Sequence, residues 1–324
     1  MAGKTYNVDE DVLNSDTVDG DAVRSEASRK IHLKTTDETS GGHLSVNLRH
    51  LKLGEVMVSL GMLKRDDINR VLASQQVTGL PFGECAVRLG LVSQKQLEQA
   101  VAYQFGFSYP LAASAALSDD LATIHEPFSP YSEALRAIGN RLMQQWATPE
   151  RKILAVTSAG SREGRSFLSA NLAVVLAHSG RRTLLVDGDL RNPTLHETFG
   201  VSRHPGFSRL LSGFASPDTA FRVPWIRNLT LIAAGPVPPD PLELLSRPAL
   251  DTVFLQARKH YDVVIVDTPC SSAFADAETI SVAAGSALVV AAENRTRSRA
   301  MRSWISRLSA SDVYVAGSVM NAVE

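Results

Sequence analysis

One loop and three aspartates concentrate the chemistry that this sequence could perform. Residues 159–166, AGSREGRS, fit a pattern of small residue, four variable positions, glycine, basic residue and hydroxyl residue. They follow an apolar run and open an amphipathic helical pattern, the setting that a phosphate-binding loop requires. In such a loop the backbone N–H groups of Ala159, Gly160, Ser161, Arg162, Glu163, Gly164, Arg165, Ser166 and Phe167 line a nest for phosphate oxygens. The helix N-terminus adds positive potential there. Ser166 is placed to ligate Mg2+, and Gly164 lets the backbone approach closely. Arg165 stands where such loops usually carry lysine. It keeps the charge but binds through a planar fork, so the geometry must differ. Two further segments end in carboxylates: TLLVDGDLR carries Asp187 and Asp189, with Arg191 beyond, and VVIVDTP carries Asp267. A single aspartate after an apolar run is explained by helix capping. Three of them beside a phosphate loop read as parts of one Mg2+–nucleotide site, with Asp187 and Asp267 next to the metal.

Those residues must be held by strands. From Lys152 onward, apolar runs alternate with amphipathic segments: KILAVTS, RTLLVDG, LTLIAAG, YDVVIVDTP, SALVVAA and YVAGSVMN. Alternation of this kind predicts an α/β fold with a mostly parallel sheet, and ligands at the C-terminal strand ends. Leu168, Leu172, Val175 and Leu176 predict one apolar stripe on the helix after the loop, ended by Gly180. Tyr314, within the last apolar run, is expected in the core. Asn321 ends that run; it reads either as a contact to the adenine of a nucleotide or as an ordinary polar residue closing a strand.

The remainder of the chain bounds the function. A length of 324 residues suggests about two domains, and a net charge of -1 excludes a general nucleic-acid binder. Cys85 and Cys270 lack CxxC spacing, and the eight histidines show no metal-binding pairing. No segment has the roughly 18 apolar residues of a membrane span, and the N-terminus lacks a signal-peptide pattern. The expectation is a cytoplasmic protein without direct membrane insertion. Residues 1–45 are polar and read as a disordered tail. Residues 46–110 hold an internal repeat: two 24-residue copies, starting at Lys52 and Pro81, separated by QVTGL. Each copy predicts a short helix, a glycine turn at Gly61 or Gly90, an Asp- or Ser-led cap and a second helix. Residues 111–149 are expected to be a linker and a helix, the latter introduced by Ser129-Pro130 over residues 128–148, and residues 150–324 the phosphate-loop domain.

Taken together, the loop with the segments after it, PVPPDPLELL, and YDVVIVDTPCSSAFADAETI resemble the bacterial tyrosine kinases (BY-kinases), in particular the chain-length-determinant type called EpsG of exopolysaccharide loci. The resemblance implies a P-loop fold related to the MinD/ParA ATPases, ATP and Mg2+ as cofactors, and transfer of phosphate to protein tyrosine. It also implies Asp187 as activator of the tyrosine hydroxyl, Asp189 and Arg165 in support, and a Wzz-type membrane polysaccharide copolymerase as partner, which would bring the protein to the inner membrane. The repeat resembles the MshEN domain, many members of which bind cyclic di-GMP. Here Lys52 and Pro81 stand where that family carries arginine, so a cyclic di-GMP site and a ligand-free interaction module both remain open. The family's ring-forming ExxRxxR helix is matched by Glu133 and Arg136 but has Gly139 at its third position, which leaves a homo-oligomer or a merely solvated helix face. The family's usual Pro-Gly in the loop is Ser161-Arg162 here; Arg162 either neutralises phosphate charge or faces solvent. The chain also ends without the family's tyrosine cluster. Two other readings stay open beside the kinase: a nucleotide-gated scaffold of polysaccharide export, and a MinD/ParA-like ATPase, whose signature lysine would fall at Gly160.

Overall fold

A computed structural model describes residues 51–104, 117–214 and 219–322. The expected tail and residues 105–116 lie outside them. Seven strands form one sheet: β1 (Ile153–Ser158), β2 (Thr183–Asp187), β3 (Phe221–Arg222), β4 (Leu229–Ile232), β5 (Val263–Asp267), β6 (Ser286–Ala292) and β7 (Tyr314–Asn321). Their order is β3-β4-β2-β5-β1-β6-β7. Every pairing is parallel except that of β3 with β4. β1, β2, β4, β5 and β6 are buried at every residue. Parallel strands covered on both faces need continuous apolar runs rather than alternation, and that is how these segments read. β3 has two exposed residues on an edge and no sequence signal. The β7 edge corrects one expectation. Tyr314 is 43% exposed rather than in the core, because nothing pairs beyond β7 among the described residues, and the Arg151 guanidinium lies 4.4 Å from its ring centre.

The helix after the phosphate loop, α7 (Arg165–His178), is buried on all sides from Leu168 to Ala177. It rests on β1, β2 and β5 and is covered by α6 (Pro130–Gln145). The predicted stripe is therefore only half of the buried surface; Ser169, Ala170, Ala173 and Ala177 pack between helix and neighbours. α6 begins as Ser-Pro predicts, with the Ser129 hydroxyl accepting from the Ser132 N–H at 3.2 Å and Pro130 in the first turn. Gly139 is where the two helices approach: a Cβ there would meet Val175 Cγ1 at 3.0 Å. Position 139 thus faces α7, and an arginine there would be driven into the packing rather than outward. Before α6, the short helix α5 (Ala122–His125) is pinned to α7, where Asn171 Oδ1 accepts from the Thr123 N–H and hydroxyl.

The repeat forms four helices: α1 (Leu53–Ser59), α2 (Asp67–Thr78), α3 (Phe82–Arg88) and α4 (Gln94–Gln104). Gly61 and Gly90 sit at φ +68° and +67°, a left-handed turn at the same point of each copy. The second copy has the expected capping box: the Ser93 hydroxyl accepts from the Gln96 N–H, and the Gln96 side chain accepts from the Ser93 N–H. In the first copy the expected Asp66 cap makes no such bond, since Asp66 already has helical dihedrals. Val56, Met57, Val71, Cys85, Ala86 and Ala100 form a core of their own. Among the described residues no helix is long and apolar enough to cross a membrane.

Candidate nucleotide-binding site

Six parallel strands end at one rim of the sheet, and the residues singled out in the sequence collect at the ends of four of them, β1, β2, β5 and β7. The loop leaves β1 at Ser158 and enters α7 at Arg165, with Gly164 at φ +85° and Arg162 at φ +57°. Ala159 and Glu163 are buried; Ser161 and Arg162 are exposed. Inside the loop the Glu163 carboxylate accepts from the Gly160 N–H at 2.9 Å and from the Thr296 hydroxyl. Arg165 is folded onto the loop. Its Nε donates to the Thr268 carbonyl at 2.9 Å, and Nη1 donates to the Ser158 hydroxyl and, at 2.8 Å, to the Gly160 carbonyl. Nη2 makes no hydrogen bond among the described residues, so one edge of the fork stays open to an anion. Phe167 turns away from the loop, its ring edge-on to Tyr131 at 5.4 Å.

The carboxylates lie beneath. Asp187 and Asp267 are register partners at the ends of β2 and β5, and both are completely buried. Their backbones are drawn together at Gly188, whose N–H donates to the Asp267 carbonyl at 2.9 Å; a Cβ there would lie 2.5 Å from that oxygen, so only glycine fits. Ser166 donates to Asp267 Oδ2 at 2.6 Å and Ser169 to Oδ1 at 3.1 Å. Burial pushes the Asp267 carboxyl up to about 6 despite these bonds and the nearby Arg165. Asp187 is raised well above the usual carboxylate range, first by burial and then by the facing Asp267. Its Oδ2 accepts from the Leu195 N–H at 3.2 Å, while its Oδ1 is buried with no partner. Asp189 serves its own turn, accepting from the Arg191 and Asn192 N–H groups at 3.2 and 2.9 Å. Capping is thus part of what Asp187 and Asp189 do. It leaves the Asp187 Oδ1 unexplained.

That orphaned oxygen, with Ser166 and Asp267 beside it, suits a hard cation that brings its own phosphate and water ligands. Among the described residues no group of three or more His, Cys, Asp or Glu could hold a metal unaided. Ser166, Asp187 and Asp267 could therefore hold Mg2+ only together with a nucleotide. Asn321, at the end of β7, presses on the loop: its amide donates to the Glu163 carbonyl at a long 3.4 Å and lies against Gly164.

Several participants were not read from the sequence. Ser169 is one turn beyond Ser166 on the same helix face, a spacing that could have revealed it. Thr296 and Arg295, whose Nη1 donates to the Arg162 carbonyl at 2.7 Å, come from a turn about 130 residues away and left no local signal. The same is true of Asp276, which holds Arg191 with two hydrogen bonds while the guanidinium stacks 3.7 Å from the Phe274 ring centre.

No family model matches the chain. The tyrosine-protein kinase YwqD of Bacillus subtilis is 36% identical over 178 residues, 55% of this chain and 75% of that relative. The tyrosine-protein kinase Etk of Escherichia coli is 32% identical over 200 residues, 62% of this chain but only 28% of Etk. The solved kinase domain of Etk has a TM-score of 0.60 at 32% identity, covering 63% of this chain and 80% of that domain. The parallel sheet with its phosphate loop and paired aspartates, and a relative matched over 75% of its length, lead to one conclusion: the chain belongs to the bacterial tyrosine-protein kinases, enzymes of the P-loop type.

Proposed function

We propose that the chain transfers the terminal phosphate of ATP to protein tyrosine, and does so in the control of exopolysaccharide chain length, polymerisation or export. The observation that carries the reading is the buried pair Asp187 and Asp267 with the unpartnered Asp187 Oδ1. Bound Mg-ATP would supply the transferable phosphoryl group and offset the charge of the carboxylates. The loop N–H groups and the open edge of Arg165 would orient phosphate oxygens. Asp187, whose affinity for a proton is raised by burial, would accept the phenolic proton as the tyrosine oxygen attacks. Ser166 and Asp267 would hold the cation. Asp189 would keep the turn after β2 in place through its two backbone bonds, and Asn321 would meet the nucleotide base from the end of β7.

Membership of the chain-length-determinant (EpsG) branch, and a Wzz-type membrane copolymerase as the partner that recruits the protein to the inner membrane, are supported by the segment order, a helical repeat ahead of the kinase fold. For the repeat we favour an interaction module over a cyclic di-GMP site. The Gln104 amide, at the end of the second copy, donates to the Leu51 carbonyl at 3.0 Å and so ties the repeat to itself, and Pro81 cannot supply the fork of an arginine. An oligomer through α6 loses support from the inward-facing Gly139.

The test is direct. Purified full chain with Mg-ATP and the partner's cytoplasmic segment should yield phosphotyrosine on one of the two, and Asp187→Asn should reduce the rate by at least about 100-fold while nucleotide still binds. Nucleotide binding without phosphotyrosine from the unaltered chain would instead favour the nucleotide-gated scaffold.

A further inference from the structure

Beside the paired aspartates, the loops after β2 and β5 are locked together through Arg191. It stands four residues beyond Asp187, after a turn closed by the Leu190 N–H donating to the Gly188 carbonyl at 3.0 Å. Its own N–H donates to Asp189 Oδ1 at 3.2 Å. Its guanidinium crosses to the loop after β5, where Nε donates to Asp276 Oδ2 at 2.7 Å and Nη2 to Oδ1 at 3.1 Å. The Asp276 side chain is 1% exposed and that of Arg191 24%, so the fork is held from inside the fold. The bond to Asp276 raises the Arg191 pKa above its ordinary value, and the charge of Asp240, in the loop after β4, adds to the effect.

The helix α12 (Asp276–Ala284) fixes this fork to the turn that carries Asp187. Ile280, one helical turn beyond Asp276 on the same face, packs on that turn: a Cβ at Gly188 would meet Ile280 Cδ1 at 3.1 Å. α12 is anchored further along by Glu278, which accepts from Arg307 of α13 (Ser298–Ala310). Phe274 precedes α12 by two residues. The Arg191 guanidinium lies 3.7 Å from its ring centre, yet Phe274 is 44% exposed. Full burial of such a ring contributes about 1.5–3 kcal/mol, and at this position the fold forgoes much of that. A fixed, exposed ring next to convergent polar groups has the make-up of a ligand site, apolar surface with a few placed hydrogen-bonding groups.

We propose that Phe274 is the shelf on which the acceptor tyrosine lies, its phenol ring packed against the exposed part of the Phe274 ring and its oxygen directed toward Asp187, with Arg191 as the positioning residue that holds the shelf. The inference rests on the kinase reading above and adds to it the feature that selects tyrosine. Aromatic rings pack on one another edge-to-face or offset, with a gain beyond the area they bury. A phenol also carries its hydroxyl far from the peptide backbone, which suits a carboxylate that is completely buried beneath the rim. Serine and threonine have neither the ring nor the reach, so the shelf discriminates against them.

Kinetics of the full chain with Mg-ATP and a synthetic peptide containing a single tyrosine test this. Phe274→Ala should raise the KM for the peptide by about tenfold, with kcat within about twofold and the KM for Mg-ATP unchanged. Phe274→Trp keeps a ring and should leave the peptide KM near its original value; Phe274→Leu is apolar without a ring and should not. Arg191→Lys keeps the charge but loses the fork and the planar stack, and should raise the same KM by about threefold. A second measurement involves no phosphoryl transfer. The peptide, labelled with a fluorophore, should bind the Asp187→Asn chain loaded with Mg-ADP. Phenylalanine in place of its tyrosine should preserve that binding, whereas serine there, or Phe274→Ala in the chain, should weaken it by about tenfold. These binding preferences without phosphotyrosine from the unaltered chain would sink the kinase reading and leave the shelf standing. Phosphotyrosine formed by Phe274→Ala at an unchanged peptide KM would sink the shelf and leave the kinase reading. So would a lowered melting temperature as the sole effect of Phe274→Ala, because the ring would then only cover the Arg191–Asp276 pair.

Discussion

Asp267 shows how a single side chain can serve a ligand at the expense of the empty fold. Its carboxyl titrates near 6 in the fold against an ordinary 3.8. The folded state therefore holds the proton more tightly than the unfolded one. Stability is greatest below the unfolded value, falls as pH rises from about 4 to about 6, and carries the full penalty above that. A shift of this size corresponds to about 3 kcal/mol. Asparagine keeps the shape and an acceptor but removes the charge. Asp267→Asn should consequently raise the melting temperature of the nucleotide-free protein by several degrees at pH 7.5, with the gain shrinking toward pH 4. The same change should abolish Mg2+-dependent nucleotide binding. Calorimetry across pH checks both; a lower melting temperature at pH 7.5 would mean that the bonds from Ser166 and Ser169 outweigh the buried charge.

At the scale of elements, the phosphate loop is braced by a part of the chain remote in sequence. The turn between β6 and α13 supplies Thr296 to the Glu163 carboxylate and Arg295 to the Arg162 carbonyl, while β7 supplies Asn321. Thr296→Val preserves shape and removes the hydroxyl, leaving the Glu163 carboxylate, in a residue 2% exposed, with only the Gly160 N–H. The cost should be about 1–3 kcal/mol of stability, with Mg-ATP affinity weakened several-fold as the loop loosens; titration calorimetry on the variant reads the second effect. This brace also marks the limit of what the sequence discloses. The loop, the strand-end aspartates and the buried strands are legible because each is a local pattern: a glycine at a turn, a run of Val and Ile, a carboxylate at its end. Glu163 with Thr296, Arg191 with Asp276 and the two-residue β3 are pairings between distant segments, and nothing near either partner announces the other. The exposure of Tyr314 is hidden from the sequence for a related reason. An apolar run predicts a strand, but only sheet order reveals that the strand is at the edge.

For the whole molecule, the division of buried residues decides how it should unfold. The residues buried in the repeat, such as Val56, Val71, Cys85 and Ala100, form one apolar cluster, while those between the sheet and α6 and α7, such as Trp146, Leu154, Leu172 and Phe199, form another. A core of eight buried residues in a unit of this size is marginal, since a domain of about 60 residues hides only about 60% of its unfolded surface. The larger cluster has a seven-stranded sheet around it and, on the reading above, a nucleotide that binds only its folded form. Binding of that kind adds about 2.7 kcal/mol at 100 times the dissociation constant. Scanning calorimetry should accordingly show two transitions, with Mg-ATP raising only the one that belongs to the sheet. Leu172→Ala, which opens a cavity in the larger core at a cost of about 2–5 kcal/mol, should lower that same transition and leave the other in place. A single transition that moves as a unit with nucleotide and with Leu172→Ala would instead mean that the two clusters melt as one cooperative body.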